Sequence, residues 1–360
     1  MRVMQIVQRF APGGLETIAA SLQGRWSADC RIVSLDGATG QLLEAWPAMG
    51  GLRASLIGMG KMPGIDLPCL ARLARCIHDH KPDAVITHHL GPLLYGGIAA
   101  RLARVPIIAH VEHDAWHLQD AAQLRRFKIA RALARPRLAA ISQLGARNLA
   151  QVIGEDVQNV ANGIDMERFK PACRQAARAR LGLPSRDLSQ DGKLIGVVAR
   201  LERVKGVDLL ISALAHHDEP NLTLAIIDDG RERESLEAQA RALGLGSRVQ
   251  FLGVRGAIET ILPAFDAFVL PSRAEGLPLA IVEAQACGIP IVASDVGAVR
   301  EACCPDTAIL APSENPQALA KSIGRQLARN LVCSPRKFVM GRFSLDQMIS
   351  DYARLTGAPA

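Results

Sequence analysis

The sequence is poor in aromatic residues. It contains eight Phe, three Trp and two Tyr among 360 residues, and they are scattered along the chain. A surface that stacks the bases of single-stranded nucleic acid needs grouped aromatic side chains, so nucleic acid is not an expected partner. Glycine (31) and proline (20) have ordinary abundance, which argues against a disordered or fibrous chain.

Cysteine pairs with metal or redox spacing are also missing. None of the eight cysteines belongs to a Cys-x-x-Cys motif, Cys303 and Cys304 are adjacent, and most others lie in apolar segments such as 67–77. We therefore expect reduced, buried cysteines, as in a cytoplasmic protein. No run of about 18 apolar residues occurs, and the first residues do not resemble a signal peptide, so no membrane-spanning helix is predicted.

Charge is unevenly distributed along the chain. Residues 1–170 carry 20 basic and 14 acidic side chains, a net charge of +6, whereas residues 171–360 carry 22 and 21, a net charge of +1. The densest basic stretch, within residues 125–137, has two interpretations. It is either an ordinary solvated helix face or a surface that binds anionic lipid headgroups or a phosphorylated acceptor. That stretch contains no acidic residue and comprises Arg125, Arg126, Lys128, Arg131, Arg135 and Arg137.

Short β-branched runs alternate with amphipathic segments, a pattern typical of parallel sheets covered by helices. Six strands are predicted in each half. We predict an α/β fold of two doubly wound, Rossmann-like domains that face each other across a cleft. The expected boundaries are residues 1–170, a linker at 171–192 and residues 193–340, and a last helix within 345–358 is expected to pack on the first domain. Ligands of such sheets bind outside the carboxyl ends of the strands.

The strongest local signal is the segment 270–294, LPSRAEGLPLAIVEAQACGIPIVAS. Glu275 lies in a loop after a predicted strand, Gly276-Leu277-Pro278 begin a helix, and Glu283 follows on that helix. At ~1.5 Å per residue the two carboxylates lie at most about 12 Å apart. That reach suits sugar hydroxyls at one glutamate and a ribose diol at the other, with a diphosphate against free helix amides. Glu283 lies in an apolar segment, where a carboxylate without a partner is costly.

Two further strand ends carry candidate phosphate ligands. Arg200 and Lys205 follow the first predicted strand of the second half, where both cations can converge on one diphosphate. The alternative is that they are surface charges paired with Glu202 or with solvent. Gly13 and Gly14 follow the first strand of the chain and precede a helix, so they suit either a close approach to a phosphate or an ordinary tight turn.

Taken together, these motifs resemble the retaining glycosyltransferases of family 4 (glycosyl transferases group 1), which have the GT-B fold. The resemblance runs through nearly the whole chain in the same order. It rests on Arg200…Lys205-Gly206, Glu275 with Glu283, Gly13-Gly14, and Asn162-Gly163-Ile164-Asp165 with Phe169.

The resemblance implies a role for each matched residue. Arg200, Lys205 and Gly14 are implied to contact the diphosphate of a nucleotide-sugar donor. Glu283 is implied to bind the ribose, Glu275 to lie beside the transferred sugar, and the backbone of Gly276, Leu277 and Pro278 to lie near the phosphates. No cofactor is implied. Two departures, Asp228-Asp229-Gly230 and Gly297-Ala298 where the family has more glycine, lie towards the base and ribose, so the donor nucleotide is not predicted.

Histidines cluster after a predicted strand, in His110-Val111-Glu112-His113-Asp114-Ala115-Trp116-His117. Their spacings of three and four would need helical geometry to hold a metal ion, and the family needs none, so no metal site is predicted. By position, His113 is implied to hydrogen-bond the transferred sugar. Asp114, His88 and His89 are candidates for the acceptor side, and a purely structural role for His88 and His89 is equally compatible with the sequence.

The sequence thus predicts a cytoplasmic retaining glycosyltransferase, associated peripherally with the inner face of the membrane. It would transfer a sugar from a nucleotide diphosphate to a glycan or lipid-linked acceptor in surface polysaccharide or lipopolysaccharide assembly. No carboxylate in the pattern is placed as a covalent nucleophile. The resemblance implies a mechanism on one face of the sugar, in which the leaving diphosphate takes the proton of the acceptor. The alternatives are a GT-B nucleotide-sugar epimerase and a non-catalytic protein that binds nucleotide sugars.

Overall fold

In a computed structural model of the chain, the described residues are 1–26, 29–114, 116–182, 192–217, 219, 221–330 and 333–357. They form two compact units. The first consists of Met1–Gly163 together with Leu345–Ala360, and the second of Ile164–Ser344.

The first unit is built on a seven-stranded parallel sheet. Its strands lie in the order β3-β2-β1-β4-β5-β6-β7. The order reverses between β1 and β4, and such a switch point is where ligands of doubly wound sheets bind. In chain order the strands are β1 (Arg2–Arg9), β2 (Asp29–Asp36), β3 (Leu56–Gly58), β4 (Ala84–His88), β5 (Ile107–Glu112), β6 (Arg137–Ala140) and β7 (Gln158–Asn159).

Side-chain caps mark where several helices of this unit begin. Asp66, Asp120 and Ser142 each accept a hydrogen bond from the amide three residues later, which satisfies a free N–H of the first turn. The helices are α1 (Gly14–Arg25), α2 (Thr39–Ala45), α3 (Leu67–His80), α4 (Leu90–Pro92), α5 (Ile98–Leu102), α6 (Ala121–Ala134) and α7 (Gln143–Ile153).

The second unit repeats the topology with six parallel strands. Their order is β10-β9-β8-β11-β12-β13, so the switch point lies between β8 and β11. The strands are β8 (Lys193–Val198), β9 (Leu222–Ile227), β10 (Val249–Gly253), β11 (Ala267–Leu270), β12 (Ile291–Ser294) and β13 (Ile309–Ala311). All six residues of β9 and all four of β11 are buried, as expected for central strands covered on both faces.

The remaining helices complete both units. In the second unit they are α8 (Arg174–Leu181), α9 (Val207–Ala215), α10 (Arg233–Ala242), α11 (Leu279–Ala286), α12 (Val299–Ala302), α13 (Pro316–Leu327) and α14 (Pro335–Met340). The last helix, α15 (Leu345–Thr356), belongs to the first unit, where its buried Tyr352 lies 6.4 Å from the ring of His88.

The six strands predicted in each half are confirmed, and the structure adds β3 together with the helices α2, α12 and α14. Helical residues continue from α4 through a wider turn at Leu93–Gly97 into α5, and Ile258–Thr260 and Leu262–Ala264 form two short 3₁₀ turns. Pro278 is the N-cap of α11 and not its first residue.

The segment expected to be a linker, 171–192, contains helix α8. Arg178 on this helix is buried, and its guanidinium lies 2.8 Å from the Asp266 carboxylate and 3.2 Å from the Ala264 carbonyl oxygen. Residues 174–181 are therefore part of the second unit, which begins at Ile164, whereas the sequence predicts that the first domain extends to residue 170 and that the second begins at residue 193. The rest of the expected linker, 183–191, lies outside the described residues.

All eight cysteines are free thiols, and five of them are buried. The expectation of buried cysteines is wrong for Cys173 and Cys333, which are exposed because both lie just before short helices at the surface. Among the described residues, no helix is both long and apolar enough to cross a membrane.

Candidate functional site

The switch point of the second unit brings together a lysine and a carboxylate. Lys205 follows β8 and Glu275 follows β11, and the Lys205 ammonium lies 2.7 Å from Oε1 of Glu275. The buried Ser272 donates a hydrogen bond of 2.6 Å to the same oxygen. Glu275 is only 9% exposed, so this pair is more strongly coupled than an ion pair in water. Ser272 was not selected from the sequence.

Two glycines allow the loops around this pair to touch. Gly206, directly after Lys205, has φ +66°, and a Cβ there would lie 2.1 Å from the Pro271 carbonyl oxygen. Gly297, after β12, has φ +50°, and a Cβ there would lie 1.9 Å from the carbonyl oxygen of Glu275. Neither contact nor backbone conformation suits another residue, so both glycines fix the position of the loop that carries Glu275.

Arg273 holds the same loop from outside. Its guanidinium makes a two-pronged contact with Asp208 at 2.7 and 2.8 Å, donates to the Arg203 carbonyl oxygen at 2.6 Å, and pairs with Glu314. The hydrogen bond to Asp208 raises the pKa of Arg273 above its ordinary value, so the side chain is permanently charged. Its donors are thus engaged within the protein, and we assign it a structural role that the sequence did not indicate.

Free amides lie beside Glu275, where the loop enters α11. Among the described residues, no acceptor takes the N–H groups of Gly276, Leu277, Leu279 and Ala280. Pro278, a predicted phosphate neighbour, has no N–H and sits between them as the N-cap. Amides at the start of a helix carry partial positive charge, so this segment can hold an anion.

Arg200 does not converge with Lys205 in this structure. Its guanidinium lies 3.2 Å from the Glu202 carboxylate, and its side chain is 62% exposed. The alternative interpretation from the sequence, a surface charge paired with Glu202, therefore describes Arg200 as it stands, whereas it is wrong for Lys205. An exposed ion pair of this kind contributes little to stability, so the arginine can leave Glu202 at small cost.

The two departures from the family motif differ in their backbone. Asp228 has φ +106°, a conformation that favours glycine and strains an aspartate. Gly230 follows it and packs against Leu201, where a Cβ would lie 2.4 Å from the carbonyl oxygen. Ala298 has φ −93°, which any residue adopts. The backbone of Asp228 is therefore strained, and this residue lies beside Arg200, whereas the backbone of Ala298 is not strained.

Glu283 lies in the middle of α11 and is half-buried. Among the described residues its carboxylate makes no hydrogen bond or ion pair, and burial raises its pKa to about 7, partly offset by Arg168. Arg168 is held nearby because Asp165 accepts the amides of Glu167 and Arg168, at 2.9 and 3.2 Å. A desolvated carboxylate without a partner is an acceptor for hydroxyl donors.

In the first unit, Gly13 and Gly14 lie where β1 leads into α1. Gly13 is the N-cap, with φ −178°, which is ordinary extended backbone, and its carbonyl accepts from the Thr17 amide at 3.0 Å. The glycines are therefore not required by a left-handed conformation. A Cβ on Gly13 would meet Oε2 of Glu16 at 2.5 Å, and that side chain is flexible.

The ends of β4 and β5 place a buried carboxylate among histidines. Glu112 lies 3.5 Å from His89, 3.5 Å from His110 and 3.7 Å from His117. Burial alone would raise the pKa of Glu112, but its contacts with His110 and His89 outweigh burial and hold the pKa at about 2. The carboxylate in turn raises the pKa of His89 against burial. Glu112 was not selected from the sequence, although it lies inside the histidine motif.

His113 and His88 form a second, uncharged layer of this cluster. Nε2 of His113 lies 3.0 Å from Nδ1 of His88, and both rings are buried. Burial lowers the pKa of His88 to about 3 and that of His113 well below its ordinary value, so both are neutral. The structure therefore brings His113 and His88 together, whereas His89 and Asp114 lie on the charged side with Glu112.

His89 has an unusual backbone, with φ +67° and ψ 169°. Residues other than glycine rarely adopt this conformation, and such strain concentrates at functional sites. The donor atoms of His89, Glu112 and Asp114 lie within 4.8 Å of one another. Asp114 also lies 3.4 Å from His117 and raises the pKa of that histidine.

The basic stretch lies on α6 and at the start of β6. Arg125, Arg126 and Lys128 are exposed, as are the apolar Ile129 and Leu133 of the same helix. Two cations of the stretch are already engaged in the fold, because Arg131 pairs with Glu155 of the loop after α7 and Arg137 donates to the Leu355 carbonyl oxygen at 2.9 Å.

The chain contains two doubly wound parallel sheets. The switch point of the second sheet carries a cation, a carboxylate and free amides. This combination is typical of the class of α/β proteins that bind anionic nucleotide ligands at the ends of their strands. Comparison with known proteins narrows this class. Residues 12–168 match the family model "Glycosyltransferase Family 4", and residues 184–337 match "Glycosyl transferases group 1". The chain belongs to the glycosyltransferases of family 4 (glycosyl transferases group 1), which confirms the resemblance seen in its sequence.

Relatives by sequence carry glycosyltransferase names. EpsF of Bacillus subtilis (strain 168), described as a glycosyltransferase, is 36% identical over 211 residues, 55% of this chain and 53% of EpsF. A UDP-Gal:alpha-D-GlcNAc-diphosphoundecaprenol alpha-1,3-galactosyltransferase of Escherichia coli is 30% identical over 244 residues, 64% of this chain and 62% of that protein. The chain thus spans about half to three fifths of the length of these relatives.

Solved structures match along the whole chain. HepE of Anabaena in complex with UDP has a TM-score of 0.85 and 22% identity, with 99% of this chain and 100% of HepE covered. WaaG, a glycosyltransferase of lipopolysaccharide biosynthesis, has a TM-score of 0.74 and 18% identity, with 99% and 100% covered. These likenesses confirm the predicted GT-B fold.

Proposed function

We propose that the chain transfers a sugar, with retention of anomeric configuration, from a nucleoside diphosphate donor to a glycan or lipid-linked acceptor of a bacterial surface polysaccharide or lipopolysaccharide. The observation that carries this proposal is the contact of Lys205 with Glu275 at the switch point of the second unit. A UDP-sugar is the first donor to test, because the fold is shared with HepE, which was solved with UDP and with UDP-glucose.

In this proposal the diphosphate lies against the start of α11. The ammonium of Lys205 has three donors, so it can retain Glu275 and still contact a phosphate oxygen. The free amides of Gly276, Leu277, Leu279 and Ala280 add donors, and Arg200 joins them by leaving Glu202. These groups stabilise the charge that develops on the diphosphate as the bond to the sugar breaks.

Glu283 binds the ribose diol of the donor. Its carboxylate is half-buried and has no partner among the described residues, and with a pKa of about 7 it carries a proton in about half of the molecules at neutral pH. Two ribose hydroxyls would donate to the two carboxylate oxygens and stabilise the charged form. Donor binding should therefore release a proton at neutral pH.

Transfer proceeds on one face of the sugar. The bond between the anomeric carbon and the diphosphate oxygen breaks, the acceptor oxygen bonds to the same face of that carbon, and its proton passes to the leaving diphosphate. Glu275, fixed by Ser272 and Lys205, orients the hydroxyls of the transferred sugar and does not act as a nucleophile. Its loop is held by Gly206 and Gly297, which supports a positioning role.

The first unit is assigned to the sugar and the acceptor. We assign His113 a hydrogen bond to the transferred sugar, and Gly13 and Gly14 a contact with the diphosphate. His88 supports His113 through their 3.0 Å contact. His89 and Asp114, on the charged side of the cluster, face the acceptor.

We further assign α6 a peripheral contact with the cytoplasmic face of an anionic membrane. Ile129 and Leu133 are about half exposed, at 48% and 54%, beside the exposed Arg125 and Lys128. Apolar side chains flanked by cations suit the boundary between lipid headgroups and acyl chains. In flotation with phosphatidylglycerol vesicles, the chain should float at low salt. A variant with both Ile129→Ser and Leu133→Ser should not, and equal flotation of both proteins would refute this contact.

The experiment that tests the reaction is a thermal-shift screen of nucleotide sugars, followed by product analysis. A bound donor stabilises the fold in proportion to its occupancy. We expect one donor to stabilise the protein. Its sugar should be transferred to an added acceptor with retention of the anomeric configuration. Interconversion of the nucleotide sugar without an acceptor would instead show an epimerase. Binding without turnover in the presence of all candidate acceptors would show a non-catalytic binding protein.

A further inference from the structure

We propose that Gln5 and His88 fix the ring tautomer of His113, so that His113 carries its proton on Nε2 and offers Nδ1 as a hydrogen-bond acceptor to a hydroxyl of the transferred sugar. This inference rests on the proposed function for its sugar contact. The tautomer itself follows from hydrogen bonds within the first unit. Gln5 and His88 are positioning residues, because they act through His113.

Gln5 is a fully buried residue with a side-chain amide in the middle of β1. Nε2 of Gln5 lies 3.0 Å from the carbonyl oxygen of Ala19 and 3.2 Å from the sulfur of Cys30. A carbonyl oxygen can only accept, so the NH₂ group of Gln5 must face Ala19. Burial raises the pKa of Cys30 to about 12, so this neighbour is a neutral thiol. The orientation of the Gln5 amide is thus determined.

The carbonyl oxygen of Gln5 then sets the tautomer of His88. Oε1 of Gln5 lies 3.4 Å from Nε2 of His88. Because Oε1 is an acceptor, Nε2 of His88 must carry a proton. A neutral imidazole has one N–H, so Nδ1 of His88 is left as an acceptor.

His88 passes this constraint to His113. Nδ1 of His88 lies 3.0 Å from Nε2 of His113, which must therefore donate. In the neutral ring of His113 the proton is on Nε2 and Nδ1 keeps its lone pair. Among the described residues, none donates a hydrogen bond to this Nδ1. Glu112 raises the pKa of His89 against burial, whereas burial lowers the pKa of His88 and of His113, so a proton added to this cluster goes to His89 before it goes to His88 or His113.

The arrangement has a consequence for specificity. An acceptor at Nδ1 favours a sugar that presents a hydroxyl at this position. A sugar that presents a carboxylate, as a uronic acid does, would place two acceptors against each other, and a buried unpaired acceptor is costly. Gln5 lies between the buried apolar Met4 and Ile6, so a polar residue here is costly unless every hydrogen bond is made.

The test is a long-range ¹H–¹⁵N correlation spectrum of the full chain labelled with ¹⁵N-histidine. Signals are assigned with His113→Asn and His88→Asn. The expected result is a single Nε2–H tautomer for both rings in the unsubstituted protein. Gln5→Met removes the acceptor and should give His113 a mixture of tautomers and about tenfold slower turnover, with UDP affinity unchanged. The control Cys30→Ser keeps an acceptor for Nε2 of Gln5 and should leave the tautomer intact.

Three outcomes would contradict the inference without contradicting the proposed function. An Nδ1–H tautomer of His113 in the unsubstituted protein would contradict it even if Gln5→Met does not fold. An unchanged tautomer in folded Gln5→Met would remove Gln5 from the relay. UDP-glucose that is bound and turned over without moving the His113 Nδ1 signal, relative to UDP alone, would exclude the sugar contact and leave the proposed function intact. Absence of nucleotide-sugar binding would instead refute both.

Discussion

The two units use the same topology for different chemistry. At the switch point of the second unit, Lys205 and Glu275 form a direct ion pair beside unpaired amides. At the corresponding strand ends of the first unit, neutral His88 and His113 lie beside the charged group around Glu112. The first arrangement suits a diphosphate and the second suits sugar hydroxyls. The order of the strands thus determines where a site lies, and the loop residues determine what it binds.

The largest expected effect is that of removing the charge of Glu275. Glu275→Gln keeps the acceptor for Ser272 but loses the ion pair with Lys205. We expect sugar transfer to fall by about 10²- to 10³-fold, because a preorganised electrostatic group is lost, while the fold is retained. The measurement is kcat/KM with the donor found by screening.

Glu234→Gln is the matched control for this substitution. Glu234 is an exposed carboxylate in the first turn of α10, so its loss of charge should leave transfer unchanged. Full activity of Glu275→Gln would place the functional group of the second unit elsewhere.

The next prediction concerns the position of the loop that carries Glu275 and compares its effect on sugar transfer with the effect of the Glu275 charge. Gly297→Ala would place a Cβ against the carbonyl oxygen of Glu275 and strain a positive φ. We expect transfer to fall by about tenfold or more through displacement of the loop, with a loss of roughly 1–3 kcal/mol in stability. Gly246→Ala, at a glycine with no neighbour within 4 Å of the added Cβ, should change neither. Equal behaviour of the two variants would contradict the positioning role.

Glu283 links affinity to pH. Its pKa of about 7 in the free protein should fall when the ribose diol donates to it. Donor affinity should therefore rise with pH and be about tenfold weaker at pH 6 than at pH 8, because about nine tenths of the carboxyl is protonated at pH 6. Calorimetric titration of UDP-glucose measures this, since its diphosphate does not titrate in that range.

Glu283→Gln should remove the pH dependence and weaken donor binding. It should also raise the free energy of unfolding at pH 8 by about 1–3 kcal/mol, because the raised pKa of the folded state means that the charged form costs stability as pH rises towards 7. A pH dependence that persists in Glu283→Gln would assign it to another group.

The smallest expected effect concerns the histidines around Glu112 in the first unit. The raised pKa values of His89 and His117 add stability at low pH that is lost as pH rises through them. Glu112→Gln removes the charge opposite both, so it should cost roughly 1–3 kcal/mol in urea unfolding, and more at pH 5.5 than at pH 8.5. Glu155→Gln, which removes an exposed partner of Arg131, should show little cost and no such pH dependence. A cost for Glu112→Gln that is the same at both pH values would contradict the charged pairing.

Much of the second unit could be predicted from its sequence. Glu275 and Glu283 were recognisable because a buried strand, a glycine and proline at the helix start and an apolar helix follow one another within 25 residues. The partners of these glutamates were not recognisable. Ser272, Arg273 and Gly297 act through contacts with distant loops, and no local pattern reports a Cβ clash or an ion pair across the sheet.

The first unit was harder to interpret for a similar reason. The histidine motif was visible, yet the low pKa values of His88 and His113 depend on burial in the folded unit, and the contact of His88 with Gln5 joins residues 83 positions apart in sequence. The missed strand β3 is only three residues long and half-buried, too short for its apolar pattern to be distinct. The basic stretch contains no acidic residue, but Glu155 reaches Arg131 through the fold.

The central claim is that the Lys205 loop holds the diphosphate of a nucleotide sugar. Calorimetric titration of UDP-glucose into the unsubstituted chain, Lys205→Ala and Arg203→Ala tests it most directly. Arg203 lies two residues away on the same loop and is exposed, so it matches Lys205 in charge but not in place. We expect Lys205→Ala to weaken the binding of UDP-glucose by about 10²-fold or more and Arg203→Ala to leave it unchanged. Equal affinity of all three proteins, or equal loss in both variants, would contradict it.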